Sequence, residues 1–235
     1  MTAVAFFDVD RTLIPDNSGV LWARFERRHG RIRRRQLLKA TVLGALYHFD
    51  LIDIDKAYAE ALAHYRGMPA AELRAWTHRW FDEEIAGRIL PGARAAIEMH
   101  RRAGHPVVLL TNGSIYAAER GASHWHADDW LANRFTLDAE GRLTGAVEPP
   151  LCYGAGKVTR ARAWLADRHP NATLGDCWFY SDALSDLPML EAVGHPVVVR
   201  PDPRLRRVAM ARGWPICAFD SADAPAIDAP PPPAS

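Results

Sequence analysis

The feature that most constrains this chain is a set of four short apolar runs, at residues 3–7, 106–110, 178–180 and 196–199, in which apolar and polar residues do not alternate. A strand with one wet face alternates, whereas a run that is apolar throughout fits a strand buried on both faces of a parallel sheet. Between these runs lie helical patterns, at 93–103 after the Pro91-Gly92 turn, at 157–168 and at 184–193. Strand and helix in turn predict an α/β chain with a doubly wound, Rossmann-like parallel sheet. The interval from Asp16 to Ile89 breaks the rhythm, being rich in Ala, Leu, Arg and Trp at helical spacing with almost no strand signal. It reads as an inserted helical domain at 16–88, which leaves 1–15 and 89–222 as the core. Two strand-like stretches flank Asp138-Ala139-Glu140-Gly141 within 135–147 and predict a hairpin, read as an accessory flap. The end, 223–235, is Ala- and Pro-rich with Ile227 as its large apolar residue, and reads as an extended or disordered tail.

Charge and cysteine usage narrow the class. Lys plus Arg number 29 against 28 Asp plus Glu, a net charge of +1 that gives no global pull towards nucleic acid. Three cysteines, Cys152, Cys177 and Cys217, form no C-x-x-C pair, so neither a disulfide framework nor a cysteine zinc site is expected. A reducing cytoplasm suits them. Met1 to Phe7 lacks a basic leader and does not read as a signal peptide. The apolar stretch 37–49 is interrupted by Lys39 and His48 and is shorter than the ~18 residues of a membrane span.

The chemistry-bearing residues sit where the apolar runs stop. In Phe6-Phe7-Asp8-Val9-Asp10-Arg11-Thr12-Leu13 a strand ends in two carboxylates, and ligands of α/β sheets collect beyond the carboxyl ends of strands. Two acids there can divide the work, one attacking or binding a metal while the other moves a proton; the structural alternative is a strand end whose acids cap the next turn. Val107-Val108-Leu109-Leu110-Thr111-Asn112-Gly113-Ser114 ends in hydroxyl, amide and backbone N–H groups before a helix, suited to a phosphate or to ordinary N-capping. In Tyr153-Gly154-Ala155-Gly156-Lys157-Val158 a lysine opens a helix, where the dipole disfavours a cation unless an anion is near. A nucleotide P-loop is rejected, since Leu151 stands where its first glycine would fall and Val158 replaces Ser or Thr. Finally Trp178-Phe179-Tyr180-Ser181-Asp182 ends a third run, and Asp186 follows one helical turn later, where it could also simply start the next helix.

The order Asp8/Asp10, Thr111, Lys157, Asp182/Asp186 resembles the haloacid dehalogenase superfamily, with its D-x-D-x-T, Ser/Thr, Lys and acid pair. The similarity spans roughly residues 3–220 and is greatest to phosphoserine phosphatase-like members, down to the run Ser181-Asp182-Ala183-Leu184-Ser185-Asp186-Leu187-Pro188. The resemblance implies an Mg²⁺-dependent phosphatase of a small phosphorylated metabolite. Asp8 would be the nucleophile that forms an aspartyl phosphate and Asp10 the acid and base. Mg²⁺ would be held by Asp8, Asp182 and the backbone carbonyl of Asp10, Thr111 and Asn112 would hold phosphate oxygens, Lys157 would offset charge, and Asp186 would orient its neighbours. The insertion at 16–88 corresponds to the family's helical cap of C1 type. A phosphotransferase or phosphomutase would use the same residues.

The resemblance departs from phosphoserine phosphatases at the substrate's organic end. Where they carry a glutamate for the amine stands Asn17, and the match to their carboxylate-binding arginine falls on Ala61. Histidinol phosphate and other small phosphomonoesters therefore stay open. Residues 24–39 hold eight basic residues opposed by Glu26 alone, read as a solvated helix face, with docking on an anionic membrane or lipid phosphate as the alternative. His124 and His126 read as surface or core histidines rather than a zinc pair, and Trp76 and Trp80 as packing within the insertion.

Overall fold

The computed structural model describes residues 3–38 and 54–222. The Pro-rich tail and most of the apolar 37–49 stretch lie outside the described residues.

Six parallel strands form one sheet: β1 (Ala5–Phe7), β2 (Val107–Ser114), β3 (Asp129–Asn133), β6 (Trp178–Ser181), β7 (His195–Val199) and β8 (Ile216–Cys217), in the order β3-β2-β1-β6-β7-β8. All four apolar runs are strands of this sheet. Its two faces divide them residue by residue: Ala5, Phe7, Leu109, Tyr180 and Val199 point into one buried cluster, and Val4, Phe6, Leu110, Phe179 and Val198 into the other. Helix α4 (Pro91–Arg102) covers the first face through Ala93 and Ile97, with α5 (Ile115–Trp125) beside it. Helices α6 (Ala155–Arg168), α7 (Leu187–Ala192) and α8 (Pro203–Arg212) cover the second through Leu165, Met189 and Leu205. The sheet is therefore doubly wound, and at β1 the chain turns first towards β2 and β3 and later towards β6, β7 and β8. That reversal opens a crevice at the carboxyl ends of β1 and β6.

Two strands escape the four-run expectation. Strand β3, read D-W-L-A-N, lies at the sheet edge with its first three residues only partly buried, and β8 has two residues. Strand β2 also runs past Thr111 to Ser114, with a register break against β3 after Leu110.

Between β1 and β2 the described chain is helical: α1 (Ser18–Arg28), α2 (Ile54–Ala63) and α3 (Ala70–Trp80), the last continued by a π turn (Phe81–Ile85). Asn17 caps α1 by accepting from Val20 N at 3.0 Å, and Leu21 and Phe25 turn inward. Trp80 is buried against Trp22, and Trp76 packs on Phe25, so the tryptophans act as packing groups. The expected hairpin forms from β4 (Phe135–Leu137) and β5 (Leu143–Val147). It packs on the helices: Gly67 N donates to Leu143 O at 2.8 Å and Leu143 N to Met68 O at 2.9 Å, and Phe135 and Leu143 share a core with Leu62, Tyr65 and Leu73.

Several surface readings follow the sequence. In the basic run Arg24 and Arg33–Arg35 are exposed, while Arg31 donates to Glu72 at 3.0 Å and lies over the Trp76 ring. His124 and His126 are exposed. The three cysteines are free, and burial pushes the thiols of Cys152 and Cys217 up to about 12, which leaves them inert near neutral pH. No helix among the described residues is long and apolar enough to cross a membrane.

Candidate active site

Asp8 is the first residue past β1, and its backbone N–H donates to Tyr180 O of the neighbouring β6 at 3.0 Å, so the last sheet bond delivers its side chain into the crevice. Asp182 is the first residue past β6 and is likewise buried. Lys157, in the first turn of α6, reaches Asp8 from a fully enclosed position: its Nζ donates to Asp8 Oδ1 and to Asp186 Oδ2, both at 2.7 Å. The carboxylates thus supply the anions that a cation at a helix N-terminus needs. Asp186 also accepts from Ser181 Oγ at 2.6 Å, which fixes its orientation. Pro188 follows in the first turn of α7, so Asp186 both begins that helix and holds the lysine.

The approach of α6 depends on Gly156. A Cβ there would lie 1.8 Å from Leu151 O, an overlap no side chain could tolerate, and Gly154 sits at φ +51°. These glycines let the helix start beneath the strand ends and carry Lys157 inward.

Asp10 stands two residues beyond Asp8 and accepts from Ser18 N at 3.1 Å. Burial raises its carboxyl above the usual range, against the hydrogen bonding from Ser18. Asp8 is raised to about 7, first by burial and then by Asp186 and Asp10, with Lys157 pulling the other way. Burial lowers the Lys157 ammonium, but Asp186 and Asp8 outweigh it and hold its pKa above the ordinary lysine range. Asp182 is pushed up by burial and by the charges of Asp8 and Asp186. Asp8 and Asp182, both raised by burial and by neighbouring carboxylates, leave the crevice short of positive charge. Thr12, overlooked as a site residue, ties the two strand ends: Asp182 N donates to its Oγ1 at 3.1 Å.

The residues at the end of β2 behave in two ways. Ser114 takes the ordinary reading and caps α5, accepting from Ala117 N at 3.2 Å, while Thr111 Oγ1 accepts from Gly113 N at 3.1 Å. Asn112 is held by Asn133, whose Nδ2 donates to its backbone oxygen at 2.7 Å and to its Oδ1 at 3.0 Å. Asn133 ends the unforeseen strand β3, and its Oδ1 accepts from Cys152 N at 2.8 Å. With the Asn112 carbonyl engaged, its amide N–H groups remain to meet an anion. Asp8, Asp10, Thr111, Asn112, Asp182 and Asp186 all line one cavity of about 470 Å³ that extends beneath the helices of the insertion. Asn17 and Ala61 line it as well.

A family model of haloacid dehalogenase-like hydrolases matches residues 5–191. The chain belongs to the haloacid dehalogenase-like hydrolases. Within that family it is 35% identical over 237 residues to a phosphoserine phosphatase of Mycobacterium tuberculosis, covering 93% of this chain and 71% of the relative. It is 27% identical to a histidinol-phosphatase of Neisseria meningitidis, over 93% of this chain and all of that one. A solved structure of a Bordetella pertussis protein of unknown function superposes with a TM-score of 0.81 at 30% identity, covering 92% of this chain and 98% of that one. This haloacid dehalogenase-like hydrolase is a phosphoric monoester hydrolase.

Enzymes of this family are generally metal-dependent, and the donor chemistry fits a hard divalent cation. Asp8, Asp182 and the Asp10 carbonyl offer oxygen alone, and the raised carboxyls are those a cation would relieve. Among the described residues no three His, Cys, Asp or Glu side chains form a ready-made cage. A set of two carboxylates and one carbonyl needs none.

Proposed function

We propose that this hydrolase cleaves a small phosphomonoester through an aspartyl-phosphate intermediate on Asp8, with a phosphoserine-like or histidinol-phosphate-like substrate. The observation that carries the reading is the buried Lys157 bridging Asp8 and Asp186 in the crevice between β1 and β6. It holds one Asp8 oxygen and leaves the other to attack.

An Asp8 carboxylate oxygen attacks phosphorus, the ester P–O bond breaks, and the departing alkoxide takes its proton from Asp10. Burial raises the Asp10 carboxyl, so it keeps its proton to higher pH than a free aspartate, which suits a donor. In the second half Asp10, now a carboxylate, takes a proton from water as that oxygen attacks phosphorus and the bond to Asp8 breaks. Thr111 and Asn112 hold phosphate oxygens, Lys157 balances the charge gathered at Asp8, and Asp186 with Ser181 keeps Lys157 in place. Mg²⁺, held by Asp8, Asp182 and the Asp10 carbonyl, would supply charge neutralisation for the phosphoryl group. The helices of 16–88, joined by the β4–β5 hairpin, act as the cap that excludes water and selects the ester. Asn17 and Ala61 stand where the resemblance places the amine- and carboxylate-binding groups of phosphoserine phosphatases, which tilts the choice away from phosphoserine.

The test is phosphate release from phosphoserine, histidinol phosphate and other small phosphomonoesters, with Mg²⁺ or EDTA. Turnover that needs Mg²⁺ and disappears in Asp8→Asn is expected; full turnover by Asp8→Asn would remove Asp8 from the chemistry.

A further inference from the structure

At the far end of the active-site cavity is an acid that the proposed chemistry does not use. Glu26 on α1 is 1% exposed, yet it lines the cavity that holds Asp8 and Asp10. Its Oε1 accepts from Trp76 Nε1 at 2.6 Å and its Oε2 from Tyr65 Oη at 2.9 Å, and Tyr65 Oη accepts from Trp22 Nε1 at 2.8 Å. These donors are neutral. Arg31, the nearest arginine along the chain past the helix end, is committed to Glu72 and the Trp76 ring. Among the described residues no Lys, Arg or His forms an ion pair with Glu26. A carboxylate removed from water with no cation beside it is costly, and hydrogen bonds from neutral groups offset only part of that cost.

The rest of the wall points the same way. Trp22, Tyr65 and Trp80 present aromatic surface, which attracts a cation over its faces. Glu60 and His64 of α2 line the same cavity. Arg11 is the only Lys or Arg among its described lining residues, and it follows directly on Asp10, at the phosphate end.

We propose that Glu26 is a specificity-determining residue that receives the cationic end of the substrate, so that the ester cleaved is an amino-alcohol phosphate carrying an ammonium or protonated ring and no carboxylate. The inference rests on the phosphomonoesterase reading above and narrows it. A carboxylate-bearing ester would bring its anion against Glu26, while Arg11, the one Lys or Arg among the described lining residues, follows directly on Asp10 at the phosphate end.

The matched probes are 2-amino-3-phenylpropyl phosphate and 3-phenylpropyl phosphate, which differ only in the ammonium, with histidinol phosphate and phosphoserine alongside. For the unaltered enzyme, kcat/KM for the two cationic, carboxylate-free esters is expected to exceed that for 3-phenylpropyl phosphate by roughly tenfold or more, as for a charge-assisted hydrogen bond out of water. Phosphoserine should fall below both. In Glu26→Gln, checked for folding by circular dichroism and melting, the cationic-to-neutral ratio should drop towards one, mainly through KM. Three results would overturn the assignment: no preference in the unaltered enzyme, a ratio unmoved by Glu26→Gln, or a ratio that collapses in Glu60→Gln instead. Failure of the unaltered, Mg²⁺-supplied enzyme to cleave any of the four esters would overturn the phosphomonoesterase reading and this inference with it.

Discussion

Against the interior strand β6, whose first residue Trp178 it touches, His100 of α4 is fully enclosed. Its Nε2 lies 2.8 Å from Tyr180 Oη and its Nδ1 shares a hydrogen with His105 Nδ1 at 3.0 Å, while His105 stacks on Trp178 and Trp178 on His195. Burial, then the neighbouring His105 and His195, lower His100 from 6.5 to about 3. Between those two values the unfolded chain binds a proton there that the folded chain does not. Stability contributed by this site is therefore complete above the unfolded pKa and is lost as pH falls below it, by about 1.4 kcal/mol per pH unit. From neutral pH to about pH 5 the loss is roughly 1.5 units, or about 2 kcal/mol. The assay is urea unfolding of the unaltered protein and of His100→Gln at both pH values. Taking the difference between the proteins cancels the other titrating groups, including Asp8, whose raised carboxyl works in the opposite direction. The advantage of the unaltered protein over the variant should shrink by about 2 kcal/mol on acidification. Parallel stability curves would refute the reasoning, since they would mean that His100 takes up its proton within the folded state.

Other expectations concern the active site directly. Asp10→Asn should slow an alkyl phosphate by about 10²-fold or more and slow 4-nitrophenyl phosphate, whose leaving group needs no proton, much less; steady-state kinetics on the two esters measure the difference. Lys157→Met leaves Asp8 and Asp186 buried without their cation and should cost about 3–5 kcal/mol of stability by denaturant unfolding, beyond its effect on turnover. Gly156→Ala sets a Cβ against Leu151 O and should destabilise by more than ~2 kcal/mol while displacing Lys157, so melting temperature and kcat fall together.

The central strands were legible because two-sided burial suppresses alternation, which marks β1, β2, β6 and β7 in the sequence alone. Strand β3 was not, because an edge strand with partly buried residues mixes Asp and Asn with Trp and Leu, and two residues of β8 are too few to form a pattern. That Asp8 and Asp182 meet at one end of the sheet was legible because each directly follows an apolar strand run. Asn133 was hidden with the strand it ends, although it positions Asn112. Glu26 was hidden by its neighbours: among eight basic residues a lone acid reads as part of a solvated helix face, and only the fold shows it turned inward to tryptophan and tyrosine. Helical periodicity says which face is buried, and says nothing of what a buried acid faces.

The most direct test of the account is acid quenching during turnover of a cleaved phosphomonoester with Mg²⁺, followed by mass spectrometry of the peptide that contains Asp8. The account predicts that this peptide, and no other, carries the added mass of one phosphoryl group, and that Asp10→Asn alters how much of it accumulates. Rapid turnover with Asp8 unmodified at every quench time would contradict it and place water's attack directly on the ester.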